Sequence, residues 1–188
     1  MPPPHHRKRE DFLAWETVQA DRWELIAGRE TMMAGGTAAH NRVAGNVYTA
    51  LDNALGDGPC APFQQNQKLA PAESGDVTYP DVFVTCRPVD DRAQTVASAT
   101  VIVEVLSPST ITDDMDSKWA GYQQIADLRH YLLIESVEPA ATLYSREGPD
   151  DAWNYRRTTD PDEMIELQAI GVTMPMRAIY RRTAIPGS

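Results

Sequence analysis

The run Thr-Val-Ile-Val-Glu-Val-Leu at 100–106 constrains this chain more than any other segment. Its β-branched residues predict a strand, and apolar side chains at alternate positions on both sides predict that both faces are buried. Alternation sets Glu104 on the face of Ile102 and Leu106, with Val103 and Val105 turned the other way. A carboxylate therefore sits on an apolar face of an interior strand. An unpaired charge there is costly, so a partner must compensate it. That partner is either an arginine or lysine in a structural ion pair, or a metal ion or substrate at a site.

The segments around this strand predict a mixed sheet with helices packed on it, an α/β (α+β) class. Residues 11–19, with Phe12, Leu13, Trp15 and Val18, suit a short helix. Residues 23–26 and 29–33 flank Ala27-Gly28 as a hairpin. Thr37 suits a helix cap, and Val43, Val47, Ala50, Leu51 and Leu55 recur at helical spacing up to Gly56. Residues 63–69 form a polar candidate edge strand, and 82–85 a short apolar one. After Ser107-Pro108-Ser109-Thr110, the Thr110–Asp113 spacing predicts a helix start, with Met115, Trp119, Tyr122 and Ala126 as its apolar stripe. Further strands are expected at 130–134, 141–145, 153–157 and 163–167, and a terminal helix at 175–182. Residues 1–10 and 183–188 are expected as tails around a single domain at 11–182.

Charge and cysteines narrow the function classes. The formal charge is −10 over 188 residues, which repels nucleic acid at long range. Any nucleic-acid role must then use local basic groups or bound cations. No stretch nears the ~18 consecutive apolar residues of a membrane span, and the basic N-terminus lacks an apolar segment after it, so a cytoplasmic location without membrane contact is expected. Cys60 and Cys86 form no Cys-x-x-Cys pair and are expected as plain thiols. A homodimer is the default assembly.

Two more residues join Glu104 as candidates. Asp81, in Tyr79-Pro80-Asp81, leads into the strand at 82–85, although Pro-Asp also initiates ordinary turns. Lys118 lies at the border of a helix stripe, where a lysine often merely extends past core residues. The helix follows the Glu104 strand closely enough to fold back and bring an ammonium near it. Two carboxylates with waters and phosphate oxygens make the oxygen shell Mg²⁺ prefers. Such an ion acidifies water and polarises a phosphoryl group, while a lysine offsets charge developing on the phosphate oxygens. The trio therefore suits phosphodiester hydrolysis.

Tyr-Pro-Asp-Val-Phe-Val at 79–84, Val-Ile-Val-Glu-Val-Leu-Ser-Pro-Ser-Thr at 101–110, Ser-Lys-Trp-Ala-Gly-Tyr at 117–122 and His-Tyr-Leu-Leu-Ile at 130–134 occur in that order. This series resembles the Uma-type family of restriction endonucleases, within the PD-(D/E)xK nuclease superfamily. The hairpin at 23–30 and Ala-Ala-His-Asn-Arg at 38–42 fit it too. The resemblance implies a restriction-endonuclease-like mixed sheet flanked by helices, Mg²⁺ or Mn²⁺ as cofactor, and DNA as substrate. It implies Asp81 and Glu104 as metal-binding acids and the Val105 carbonyl as a further metal ligand. The superfamily's lysine, two residues after the second acid, is Leu106 here, so Lys118 is the candidate displaced lysine.

Glu24 and His40 are possible accessory residues, against a surface salt bridge and a surface imidazole as plain alternatives. Gln65 and Gln67, or Gln64, Asn66 and Lys68, line a cleft or solvate an edge. His5-His6 and the patch Arg177, Arg181 and Arg182 are weaker candidates. No Gly-x-Ser-x-Gly, phosphate-binding P-loop or His-Glu-x-x-His occurs. Two rivals to a metal-dependent deoxyribonuclease stand: a catalytically silent interaction or DNA-associated module, and a mere Lys118–Glu104 ion pair.

Overall fold

The apolar run forms an interior strand, buried from Val101 through Val105, in a computed structural model that describes residues 7–33, 35–107 and 113–185. In chain order the elements are α1 (Arg9–Glu16), β1 (Trp23–Ile26), β2 (Arg29–Met32), α2 (Ala38–Leu55), β3 (Ala61–Gln64) and β4 (Lys68–Leu69). They continue with β5 (Val82–Thr85), β6 (Thr95–Val96), β7 (Val101–Leu106), α3 (Asp113–Tyr122), β8 (His130–Glu135) and β9 (Ala141–Ser145). The chain closes with β10 (Asn154–Thr158), β11 (Met164–Leu167), β12 (Val172–Pro175) and α4 (Met176–Ile179).

Six strands pair in the order β10-β9-β8-β7-β5-β3. β7 and β8 are parallel, joined through α3, and the other pairs are antiparallel. The result is the mixed sheet expected. Val101, Val103 and Val105 bury one face of β7 against Val43, Val47 and Leu51 of α2 and the C-terminal elements. Ile102 and Phe83 face the other way, against Tyr122, Ile125, Leu128 and Tyr131. Each fully buried aliphatic side chain contributes about 1.5–3 kcal/mol over its exposed state.

Local signals explain most of the elements. Thr37 Oγ1 accepts the His40 N–H at 3.2 Å and caps α2. The hairpin turn has positive φ at Ala27 (50°) and Gly28 (76°), the pair of conformations a two-residue turn of matching twist demands.

Several expectations need correction. α1 begins at Arg9, inside the expected tail, and ends at Glu16 rather than at 19. Thr183 donates to the Tyr180 carbonyl, and Ile185 packs into the core, so the C-terminal tail is bound at least that far. The edge strand expected at 63–69 breaks into β3 and β4, because Lys68 turns inward to Glu16 at 2.7 Å and β4 pairs with β6 instead. α3 stops at Tyr122, leaving Ala126 exposed while Ile125 and Leu128 carry the packing through the turns that follow. β6 and β12 were not expected: β6 is two residues long, and β12 only four, ending on a proline. The terminal helix expected at 175–182 shrinks to α4: Pro175 pairs with Met164 of β11, and the chain leaves helical geometry at Tyr180 and takes a positive φ of 61° at Arg182. His5, His6 and Thr110 lie outside the described residues.

The cysteines also depart from expectation. Cys60 and Cys86 form a disulfide across the start of β3 and the end of β5. Their spacing of 26 residues carried no signal. The register Ala61↔Thr85, extended by one residue, brings them face to face. Breaking this link by Cys60→Ala should lower stability by about 2–4 kcal/mol, from the unfolded-chain entropy released in a loop of that length. Thermal melts of the variant and of the reduced wild type should agree, and an unchanged melting temperature in both would refute the link.

Candidate metal-binding and catalytic site

The site forms where β5 begins and β7 ends. Antiparallel pairing sets Val82 opposite Val103, and one further step sets Asp81 opposite Glu104. Two carboxylates on different segments are thereby brought side by side by register alone. Asp81 is pinned by three groups: Gln65 Nε2 donates to Oδ1 at 3.0 Å, and the Val105 N–H donates to Oδ2 at 2.8 Å. His40 Nε2, from the first turn of α2, lies 3.2 Å from the same Oδ2. The imidazole packs so closely on Gly36 that a Cβ there would come within 2.8 Å of Nδ1. Glycine at this point therefore lets the ring reach Asp81.

Glu104 is only 6% exposed. Tyr122 Oη donates to its Oε1 at 2.9 Å, and Lys118 Nζ approaches the same oxygen at 3.4 Å. Oε2 has no partner among the described residues. Lys118 lies nearer to Glu24, at 3.0 Å from Oε2, while Glu24 Oε1 accepts the Tyr79 N–H at 2.9 Å. Glu24 is thus buried and ties the β1–β2 hairpin to the loop carrying Asp81, not a surface salt bridge. Lys118 is likewise mostly buried between two carboxylates, rather than extending past the core to water.

Behind this layer, Tyr79 Oη donates to Glu16 Oε1 at 2.7 Å, and Lys68 holds the other Glu16 oxygen. The loop 79–81 is therefore fixed from both ends.

The charges interact strongly. Burial pushes the Glu104 carboxyl up to about 7, with Asp81 and Glu24 adding to the rise and Lys118 and the Tyr122 hydrogen bond opposing it. For Lys118, burial favours the neutral amine, but Glu104 and Glu24 outweigh it and hold the ammonium charged. The hydrogen bond to Asp81 raises the His40 imidazole against the opposing effect of burial, and the charges of Asp81 and Glu104 raise it further.

Among the described residues no three His, Cys, Asp or Glu side chains converge as a metal cluster. A two-carboxylate site completed by backbone carbonyl and water suits Mg²⁺ or Mn²⁺ without one. The donors fit that chemistry: they are oxygens, and the Glu104 Oε2 has no other described partner. Val105 adds to the fit, since an extended residue turns its N–H and carbonyl to the same side, and its N–H faces Asp81.

The structure brings together Asp81, Glu104, Val105, Lys118, Glu24 and His40, and of the polar 64–68 segment it adds only Gln65. Gln67 reaches the Ala93 carbonyl instead. Arg177 pairs with Asp162, and the Arg181 carbonyl is held by Asn46. Tyr122 was legible only as a member of an apolar stripe. Lys68, expected to line a cleft or solvate an edge, instead pairs with the buried Glu16; Tyr79 was legible only as part of Tyr-Pro-Asp, and Glu16 carried no distinguishing pattern.

The geometry can be set against known proteins. An uncharacterized protein of Synechocystis sp. strain PCC 6803, slr1290, is 32% identical over 179 residues, covering 93% of this chain and 92% of its own. A second from the same organism, sll1609, is 32% identical over 146 residues, covering 76% and 82%. A crystal structure from Anabaena variabilis, titled "a putative nuclease belonging to DUF820", superposes with a TM-score of 0.77 at 14% identity, over 93% of this chain and 97% of that one. It shares the fold. The Uma2 family, described as "Putative restriction endonuclease", matches residues 9–177, a span that holds every residue of the site. With that match spanning nearly the whole chain, on a fold shared with the Anabaena protein, the chain belongs to the Uma2 family.

Proposed function

We propose that this chain is a divalent-metal-dependent endonuclease that hydrolyses phosphodiester bonds in DNA. The observation that carries the reading is the convergence of Asp81 and Glu104 beside a buried, charged Lys118. Asp81, the free oxygen of Glu104 and the Val105 carbonyl would hold Mg²⁺ or Mn²⁺. The ion so held supplies Lewis acidity to the phosphodiester and lowers the pKa of water.

The chain's own residues set the rest. Gln65, the Val105 N–H and His40 fix the Asp81 carboxylate before any ligand arrives. Tyr122 occupies Glu104 Oε1 and leaves Oε2 for the ion. Lys118 supplies a fixed positive charge toward the scissile phosphate, where charge grows in the transition state. Its closer contact with Glu24 favours a second reading, in which Lys118 serves as a structural ion-pair partner of Glu24 rather than as a catalytic cation.

Purified wild type should nick plasmid DNA with Mg²⁺ or Mn²⁺ and stop when the ion is chelated. Asp81→Asn should cut about 100-fold more slowly or worse. DNA binding should be weak without the ion and strengthen with it, because a cation inverts the local potential of an acidic protein. RNA offered in parallel decides the substrate. Cleavage that survives both chelation and Asp81→Asn would refute the proposal.

A further inference from the structure

A cavity of about 740 Å³ opens at the other end of the sheet, where β7 and β8 begin and β9 ends. Thr100, on its wall, stands four residues before Glu104, about 13 Å along an extended strand. It is separate from the carboxylate site.

Its wall is basic in a chain whose net charge is −10. Arg87, Arg129 and Arg146 line it against the carboxylates of Asp127 and Glu147. Asp127 is gripped by Arg87 through two bonds of 2.8 and 2.9 Å and by the Ser98 hydroxyl, and it acts on Arg129 only from a distance. No described carboxylate lies within ion-pair distance of Arg129 or Arg146. Arg146 is 7% exposed and is held by the carbonyls of Leu128, Ile125 and Pro149, at 2.9, 2.6 and 2.7 Å, and by the Trp153 ring. Asp150 and Asp151 act on it only from a distance. Arg129 spends Nη1 on the carbonyls of Ala126 and Leu128, leaving Nε and Nη2 uncommitted among the described residues. Neutral dipoles thus hold two guanidiniums in place without neutralising them, and one presents a free fork of the shape that binds phosphate.

A second hollow of about 220 Å³ continues from the first, sharing His130, Ser145, Asn154 and Gln168. Leu132, Leu143 and Ile165 line it, together with the charged Arg156 and Glu166. His130 is fixed between the two hollows, with Nδ1 3.0 Å from Ser145 Oγ and Nε2 accepting the Ala169 N–H at 3.1 Å. An anionic head is accommodated by the arginines, and a less polar body by the adjoining hollow. We propose that this double cavity binds a small organic phosphate monoester, of the size and chemistry of a mononucleotide.

The proposal does not depend on nuclease activity, and its test reads binding alone. The full chain is titrated calorimetrically with AMP, adenosine and inorganic phosphate in the presence of chelator. AMP should bind at about millimolar Kd or tighter, with adenosine and inorganic phosphate each at least about tenfold weaker. Arg129→Gln should weaken AMP binding about tenfold or more. Gln168→Glu, at an exposed position on the wall, should do the same by repulsion and carries the test if the arginine variant does not fold. Glu104→Gln should leave AMP binding unchanged. Absence of saturable AMP binding would overturn the proposal. So would phosphate binding as tightly as AMP, binding indifferent to both cavity variants, or binding lost in Glu104→Gln.

Discussion

Lys118→Ala should abolish metal-dependent cleavage and also destabilise the chain by about 3–5 kcal/mol at pH 8, because it strands two buried carboxylates. A lysine at the edge of a helix stripe is expected to cost far less, on the order of 1 kcal/mol, since only its aliphatic stem packs. Burial between Glu24 and Glu104 changes that estimate. The penalty should depend on pH in a definite direction. Burial raises the folded-state carboxyl of Glu104 to about 7 from an ordinary 4.5 even with Lys118 present, and the ammonium is the larger of the two influences, with the Tyr122 hydrogen bond, that lower it. Without Lys118 it rises further. A carboxyl raised on folding favours the folded state below its unfolded pKa, and that advantage is lost as pH rises through the folded one. The deficit of the variant should therefore be small near pH 4.5 and widen through pH 7 and above. Melting curves at pH 5 and pH 8 measure it. An equal deficit at both would mean that lost packing, not stranded charge, is the cause.

The same residues show how far the sequence could be read. Glu104 was conspicuous because a strand's alternation is local, and a carboxylate amid valines violates it within seven residues. Asp81 and Lys118 were legible once the chain order of motifs was recognised. What the sequence could not show was the pairing among the charges. Glu24 reaches Lys118 from a hairpin 94 positions earlier, and nothing in Trp-Glu-Leu-Ile distinguishes a glutamate turned inward from one facing water. The disulfide was hidden for a similar reason. Cys60 and Cys86 meet only because β3 and β5 pair in one particular register, and register is a tertiary choice. The broken edge at 63–69 has the same origin, since the buried Glu16–Lys68 pair draws the strand away from the sheet. Long helices and the apolar strands, whose signals lie inside single segments, needed no such knowledge.

Glu104→Gln should leave the metal-free chain equally stable or more stable at pH 8, by about 1–3 kcal/mol, while removing most of the melting shift produced by Mg²⁺ or Mn²⁺. The amide keeps the shape and can still accept from Tyr122, and it removes the burial cost of a charge, and with it the repulsion from Asp81 and Glu24, that together hold the carboxyl up. Lys118 is not orphaned by the change, because Glu24 remains 3.0 Å away. The sign follows from the raised carboxyl: ionising it in the folded state costs free energy above about pH 7, and the amide escapes that cost. Below about pH 4.5 the wild-type group is protonated in the unfolded chain as well as in the folded one, so the two chains should converge in stability there. Metal affinity of the wild type should in turn rise with pH through about 7, since the ion must displace that proton. A structural ion pair makes the opposite demand. If Glu104 served only to neutralise Lys118, the amide would weaken the metal-free fold at pH 8 and leave any response to Mg²⁺ or Mn²⁺ untouched. Melts of both chains at two pH values, with and without the ion, separate the alternatives. A variant less stable than wild type at pH 8, with the metal shift intact, would remove Glu104 from the site.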